Sequence, residues 1–139
     1  MNKLLFAALF LVVSACSHHN SNASLYQQLG EQEGVEAIVE AFINQIGNDE
    51  RIIAYFADTH VSRFRDKLIL HFCNISDGPC VYDGDNMVDI HTGMNITEGD
   101  FNHTVDLLIA AMNEVGVSHR VQNRLLARLA PLRDEMIYI

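Results

Sequence analysis

Met87-Val88-Asp89-Ile90-His91-Thr92-Gly93-Met94 is the stretch on which the reading of this chain turns. Met87, Ile90, His91 and Met94 fall at i, i+3, i+4 and i+7, the spacing of one helix face. That face is apolar except for one imidazole, and a buried imidazole must find a partner. Two readings stand side by side. Either His91 is a core histidine whose ring nitrogens meet backbone carbonyls, or it is a metal ligand, the commonest role of neutral imidazole at metal sites.

Working outward, every strong periodic signal is helical. Ser24 and Gln27 have capping-box spacing for a short helix that Gly30 ends. Val35, Ile38, Val39, Phe42, Ile43 and Ile46 form a helical stripe that Gly47 stops. A short turn from Arg51 to Phe56 carries Ile52, Tyr55 and Phe56. Asp58 or Thr59 is the expected cap of the next helix, which runs to about Asn74 with Val61, Phe64, Leu68, His71 and Phe72 inward, before Gly78-Pro79 breaks it. Thr97 with Asp100 opens a helix carrying Phe101, Val105, Leu108, Ile109 and Met112, closed by Gly116. Ser118 is the expected cap of the last, with Val121, Leu125, Leu129, Leu132 and Met136 on one side and a kink at Pro131. No β-type alternation competes, so the fold class is all-α. The stretch from Gly78 to Ile96 is the irregular part, and a short helix bearing His91 between loops implies that something large fills the space beside it.

The chain has 139 residues and opens with Lys3, the apolar run Leu4 to Val13, then Ser14-Ala15-Cys16. This is the pattern of an export signal over residues 1–15, too short to span a bilayer. Val13-Ser14-Ala15-Cys16 is similar to a bacterial lipobox, with Cys16 as the lipidated new N-terminus; ordinary secretion with an unmodified Cys16 is the alternative. Residues 16–23 read as a polar tether, His18-His19 included, and residues 24–139 as one domain. Eighteen acidic residues face nine basic ones, a net charge of −9, which becomes −10 once Lys3 leaves with the signal. Such a surface repels phosphate backbones and anionic headgroups, so no nucleic-acid partner is expected and any membrane contact comes through the lipid. Cys73 and Cys80 are close enough for a disulfide in an oxidising compartment; two free thiols are the alternative. The absence of Cys-x-x-Cys-His excludes covalent c-type haem attachment.

The segments Ser24-Leu25-Tyr26-Gln27-Gln28-Leu29-Gly30, Gly34-Val35-Glu36-Ala37-Ile38-Val39, Tyr55-Phe56, Gly78-Pro79, Tyr82-Asp83-Gly84, Met87-x-x-x-His91-x-Gly93-Met94-Asn95-Ile96-Thr97 and Ala130-Pro131-Leu132-Arg133 resemble, in order and spacing, the group 1 truncated haemoglobins. The resemblance runs from Ser24 to about Met136. It implies a two-over-two helical sandwich around haem b (iron protoporphyrin IX), with His91 as the proximal iron ligand and Met87 beside it. It implies that Phe56 packs on the haem face with Phe42 supporting it, that Tyr82 lies near the haem edge and that Phe72 borders an apolar ligand tunnel. For Phe42, Phe56 and Phe72, simple core packing remains the alternative.

On the distal side the chain departs from the family pattern. Relatives usually place a tyrosine at the position of Ile43 and glutamine at one or both of the positions of Phe64 and Leu68. All three are apolar here, so oxygen should be held less tightly than is usual in the family. Lys67 falls where some relatives place an internal sixth iron ligand, a role that requires a neutral amine. A surface lysine reaching a haem propionate or water is the favoured alternative. His71 shares a helix face with Phe64; a hydrogen bond to ligand or propionate is one reading, and a half-buried structural histidine is the preferred one. His60, His103 and His119 carry no special expectation.

The expected function is reversible binding of oxygen, nitric oxide and carbon monoxide by a haem protein that is lipid-anchored in a bacterial cell envelope and faces the periplasm. The rival is a nitric oxide dioxygenase supplied with electrons by an unidentified reductase. A haem-free helical lipoprotein acting as an interaction module is a remoter alternative.

Overall fold

A computed structural model describes residues 22–139. The expected export signal, Cys16 and His18-His19 lie outside the described residues. Among the described residues six α-helices follow one another: α1 (Leu25–Gln28), α2 (Glu31–Gly47), α3 (Val61–Ile75), α4 (Met87–His91), α5 (Glu98–Glu114) and α6 (His119–Leu129). Two 3-10 turns, Ile53–Phe56 and Ala130–Glu135, complete the set. Among the described residues there is no strand, only an isolated bridge between Ile96 and Ile137.

Ser24 and Gln27 cap α1 reciprocally: the Ser24 hydroxyl accepts from the Gln27 amide at 3.2 Å, and the Gln27 side chain accepts from the Ser24 amide at 3.0 Å. Gly30, at φ +94°, turns the chain straight into α2. The stripe Val35, Ile38, Val39, Phe42 and Ile46 is buried, and α2 packs on α5 and on α3. Full burial of one such side chain stabilises by about 1.5–3 kcal/mol. The helix-propensity penalty of valine or isoleucine is at most about 0.7 kcal/mol, so packing decides the structure here. Leu108, Ala111 and Met112 of α5 and Val121 and Leu125 of α6 complete the core.

Two helix ends differ from the sequence expectation. The N-cap of α3 is His60, without a side-chain cap bond, and not Asp58 or Thr59; the first helical residue, Val61, is 58% exposed and not inward. At the other end α6 stops at Leu129, and residues Ala130–Glu135 continue as a 3-10 turn with Pro131 at its start. Proline has no N–H and its ring clashes with the preceding turn, so it begins a new turn more readily than it kinks an old one. Ser118 does occupy the N-cap of α6 but makes no side-chain cap bond.

The region before α4 is tied down covalently. Cys73, buried on α3, is joined to Cys80 by a disulfide with Cα atoms 5.8 Å apart. Gly78 fits inside this loop because a β-carbon there would lie 2.6 Å from Cys73 Sγ and 2.8 Å from the Tyr26 ring. The region after α4 is tied by the chain end. The Ile139 carbonyl accepts from the amides of Gly93 at 3.0 Å and Asn95 at 3.1 Å, while the Tyr138 amide donates to Ile96 at 3.0 Å. The short helix bearing His91 is thus held from both sides.

Candidate functional site

An apolar cleft is lined by α3, α4 and α5 and by Leu129 and Met136, the residues that flank the last 3-10 turn. Phe64, Lys67, Leu68, His71 and Phe72 line it from α3; Met87, Ile90 and His91, followed by Met94, line it from the α4 side. Phe101, Thr104, Val105 and Leu108 of α5 line it too, as do Phe42, Tyr55, Phe56, Leu129 and Met136. Helix α3 packs on α2, and α4 on the turn Ala130–Glu135.

His91 is half-buried on the last position of α4. Its Nδ1 lies 2.7 Å from the Met87 carbonyl oxygen. A carbonyl only accepts, so Nδ1 carries a proton, and in the neutral form of the ring Nε2 is the nitrogen with the lone pair. Asn86 starts the helix, its side chain accepting from the Asp89 amide at 2.9 Å, and Gly93, at φ +87°, ends the segment. Local chemistry alone therefore sets the tautomer of this imidazole.

The opposite wall is apolar. The rings of Phe56 and Phe64 meet edge to face with centroids 5.0 Å apart, and Phe72 is only 2% exposed. Of the residues singled out in the sequence, His91, Phe56, Phe42, Tyr82, Phe64, Leu68, Lys67, His71 and Met87 all line the cleft. Ile43 does not. It is half-buried against the core beside Phe42, which is the α2 residue that reaches the cleft.

At the rim, Lys67 Nζ donates to Asp83 at 2.6 Å. This pair holds the Asp83 carboxyl below its usual range. A charged ammonium engaged this way has no lone pair for a metal, so the arrangement is that of a rim lysine. Tyr82 donates to the Asp85 carbonyl at 2.8 Å, and burial raises the pKa of its phenol above the ordinary value. The Tyr82 ring stands edge to face against His71, centroids 5.1 Å apart. His71 is half-buried, as the structural reading of the sequence expects. Its Nε2 is buried without a hydrogen-bond partner, and desolvation lowers the pKa of the ring.

A polar hub that sequence reasoning did not single out supports the cleft from below. Asp100 accepts from Thr97 Oγ1 at 2.5 Å, from Tyr55 Oη at 2.8 Å and from Arg51 Nε. These three bonds hold its carboxyl far below the usual carboxylate range, and the same contact raises the Tyr55 phenol. The hub ties the turn bearing Phe56 to the start of α5. Asp49, accepting from His103 Nε2 at 2.6 Å and from the amides of Arg51 and Ile52, fixes the preceding bend. The Thr97/Asp100 capping pair was visible in the sequence, but its distant partners Arg51 and Tyr55 were not.

The haem that the sequence resemblance implies can be tested against these residues. It is a flat, largely apolar ring whose iron takes a nitrogen ligand from the protein, and an apolar cleft with the Nε2 of one imidazole uncommitted would suit it. Among the described residues, no group of three or more His, Cys, Asp or Glu is placed to hold a metal ion. The residues fit.

Helices in this order around such a cleft define a two-over-two globin. The family model for bacterial-like globins matches residues 24–138. The chain is 31% identical over 114 residues to the group 1 truncated hemoglobin GlbN of Mycolicibacterium paratuberculosis, covering 82% of this chain and 84% of that one. It is 27% identical to the group 1 truncated hemoglobin of Tetrahymena pyriformis, over 85% of this chain and 98% of that one. The crystal structure of the Fe(III) form of truncated hemoglobin from Tetrahymena pyriformis superimposes with a TM-score of 0.80 at 26% identity, covering 84% of this chain and all of that one. The chain belongs to the group 1 truncated haemoglobins, within the bacterial-like globins.

Proposed function

We propose that this chain is a haem b protein that reversibly binds oxygen and other diatomic gases, nitric oxide and carbon monoxide among them. The observation that carries the reading is His91, with Nδ1 committed to Met87 and Nε2 free at an apolar cleft. Haem, when bound, would supply an iron able to bind small diatomic ligands. The protein's side chains do the rest. His91 would hold the iron, and its bond to the Met87 carbonyl makes Nε2 a better ligand by raising its basicity. Phe42, Phe56, Phe64 and Leu68 exclude water from the other face, and the thioethers of Met87 and Met94 adapt to the ring's outline. Lys67 would meet a haem carboxylate at the rim in exchange for Asp83, and is not taken as a sixth ligand.

Nitric oxide dioxygenation, the rival activity, requires oxygen to be retained until nitric oxide arrives. Isoleucine, phenylalanine and leucine at 43, 64 and 68 donate no hydrogen bond, so release of the gas is the better match. The test is the absorption spectrum of the purified protein, ferric and ferrous, with and without oxygen and carbon monoxide. Haem bands that shift with each gas are expected. A colourless protein that haemin does not reconstitute would sink the reading and leave the helical interaction module.

We propose also that the protein is exported, lipidated at Cys16 and held facing the periplasm of a bacterial envelope. Lys3, the run Leu4 to Val13 and Val13-Ser14-Ala15-Cys16 support this, and the Cys73–Cys80 disulfide suits an oxidising compartment. Mass spectrometry of the mature N-terminus should find acylated Cys16; an intact Met1 would contradict it.

A further inference from the structure

We infer, resting on the haem reading of His91, that residues 137–139 are a positioning latch for that histidine. By gripping the segment just beyond it, they fix where the imidazole stands on the wall of the cleft.

The helix that carries His91 has little packing of its own. It is five residues long and none of them is buried. A helix so short is not stable by itself in water, so contacts from elsewhere must hold it. On its N-terminal side the disulfide stops at Cys80, short of Met87, and Arg63 meets Asp85 at 3.3 Å with both side chains 66% exposed, a pair that contributes little. On its other side the ties are made by backbone. The amides of Gly93 and Asn95 donate to one oxygen, that of Ile139, and the Tyr138 amide donates to the Ile96 carbonyl. The Glu98 amide donates to Tyr138 Oη at 3.3 Å, and Arg133 pairs with the Glu98 carboxylate. Met136, just before the latch, lines the cleft itself.

Strained backbone collects at this joint. Asn95, at φ +49°, and Tyr138, at φ +57°, are non-glycine residues in the left-handed region, which L-residues seldom adopt. Such conformations persist where the surroundings over-determine them, and they cluster at ligand clamps. With positive φ at both 93 and 95, two amides face a single acceptor. Tyr138 is 63% exposed, so the latch holds through its backbone and not through a core side chain. The bond from Nδ1 to Met87 orients the ring on its helix; the latch places that helix at the cleft.

The test compares holoprotein of wild type and Tyr138→Pro, with haem content measured first. Proline lacks the amide that donates to Ile96 and its ring forbids φ +57°, so the latch opens at an exposed site. The iron–histidine stretch of the ferrous variant should move or broaden, and haem should pass to an acceptor protein about tenfold faster as the hydrogen bonds are lost. A latch that only stabilised the fold would lower the unfolding midpoint and leave the band in place. Wild-type holoprotein supplies a second readout, since the amides of Gly93 and Asn95 should exchange slowly with heavy water. An unmoved band in Tyr138→Pro, or rapid exchange at Gly93 and Asn95 in wild type, overturns the inference and leaves the haem reading intact. If Tyr138→Pro does not fold, the exchange measurement decides alone. A wild type that takes up no haem overturns both.

Discussion

His91 Nδ1 donates to the carbonyl oxygen of Met87 at 2.7 Å, a bond closed within one turn of its own helix. The orientation of the ring therefore depends on how α4 begins and ends more than on any distant contact. Gly93, two residues on, is the point where the chain leaves α4, with its amide bound to the Ile139 carbonyl at 3.0 Å.

Gly93→Ala should destabilise the protein by about 1–3 kcal/mol, because φ +87° is a conformation that L-residues adopt only under strain. A β-carbon there would meet nothing within 4 Å, so the cost is one of backbone and not of crowding. Urea denaturation of both proteins measures it, and equal midpoints would show that the segment relaxes without cost.

Reducing the Cys73–Cys80 bridge should lower stability by roughly 2–3 kcal/mol on the chain-entropy model for so short a loop. The bridge also ties down the start of the segment that follows Cys80, which carries Tyr82 and Asp83, the partners of His71 and Lys67, so haem should transfer to an acceptor protein faster after reduction. Comparing thermal unfolding and haem transfer with and without reductant checks both halves. Unchanged transfer would mean that the loop holds its place without the bridge.

Asp100 titrates well below its ordinary range in the folded state, so its bonds stabilise the protein above about pH 4, where the unfolded carboxyl is ionised, and fade as pH falls toward the folded value. Asp100→Asn should accordingly be less stable than wild type at pH 7, with the gap narrowing on acidification. Chemical denaturation at neutral and acid pH measures the gap. A gap independent of pH would assign the loss to shape and not to charge.

Ile43→Tyr should slow oxygen release about tenfold or more, since a hydrogen bond to a charge-bearing partner contributes roughly 1.5–3 kcal/mol. Ile43 itself stops short of the cleft, but it neighbours Phe42, which reaches it, and a longer side chain with a terminal hydroxyl extends that reach. Stopped-flow measurement of oxygen dissociation decides; an unchanged rate rejects the apolar-wall explanation.

Helix positions are legible in the sequence where one stripe does the packing. Val35 through Ile46 and the Ser24/Gln27 and Thr97/Asp100 pairs all act through near neighbours. The start of α3 was not legible, because Asp58 and Thr59 are good caps by chemistry while the turn Ile53–Phe56 before them sets where α3 can begin. Pro131 has two permitted outcomes, a kink or a new turn, that local sequence does not separate. The cleft was legible through His91 and its spacing. The hub at Asp100 was not, since Arg51 and Tyr55 meet it only after folding. For His71 the helix face was readable, but whether its nitrogen finds a partner is decided by elements far along the chain.

The most direct test is resonance Raman spectroscopy of the ferrous protein, read for the iron–histidine stretch in wild type and in His91→Gly with and without added imidazole. The account predicts the band in wild type, its loss in His91→Gly and its return, displaced, when imidazole enters the space left by the ring. A His91→Gly protein that keeps the wild-type band unaided would contradict it.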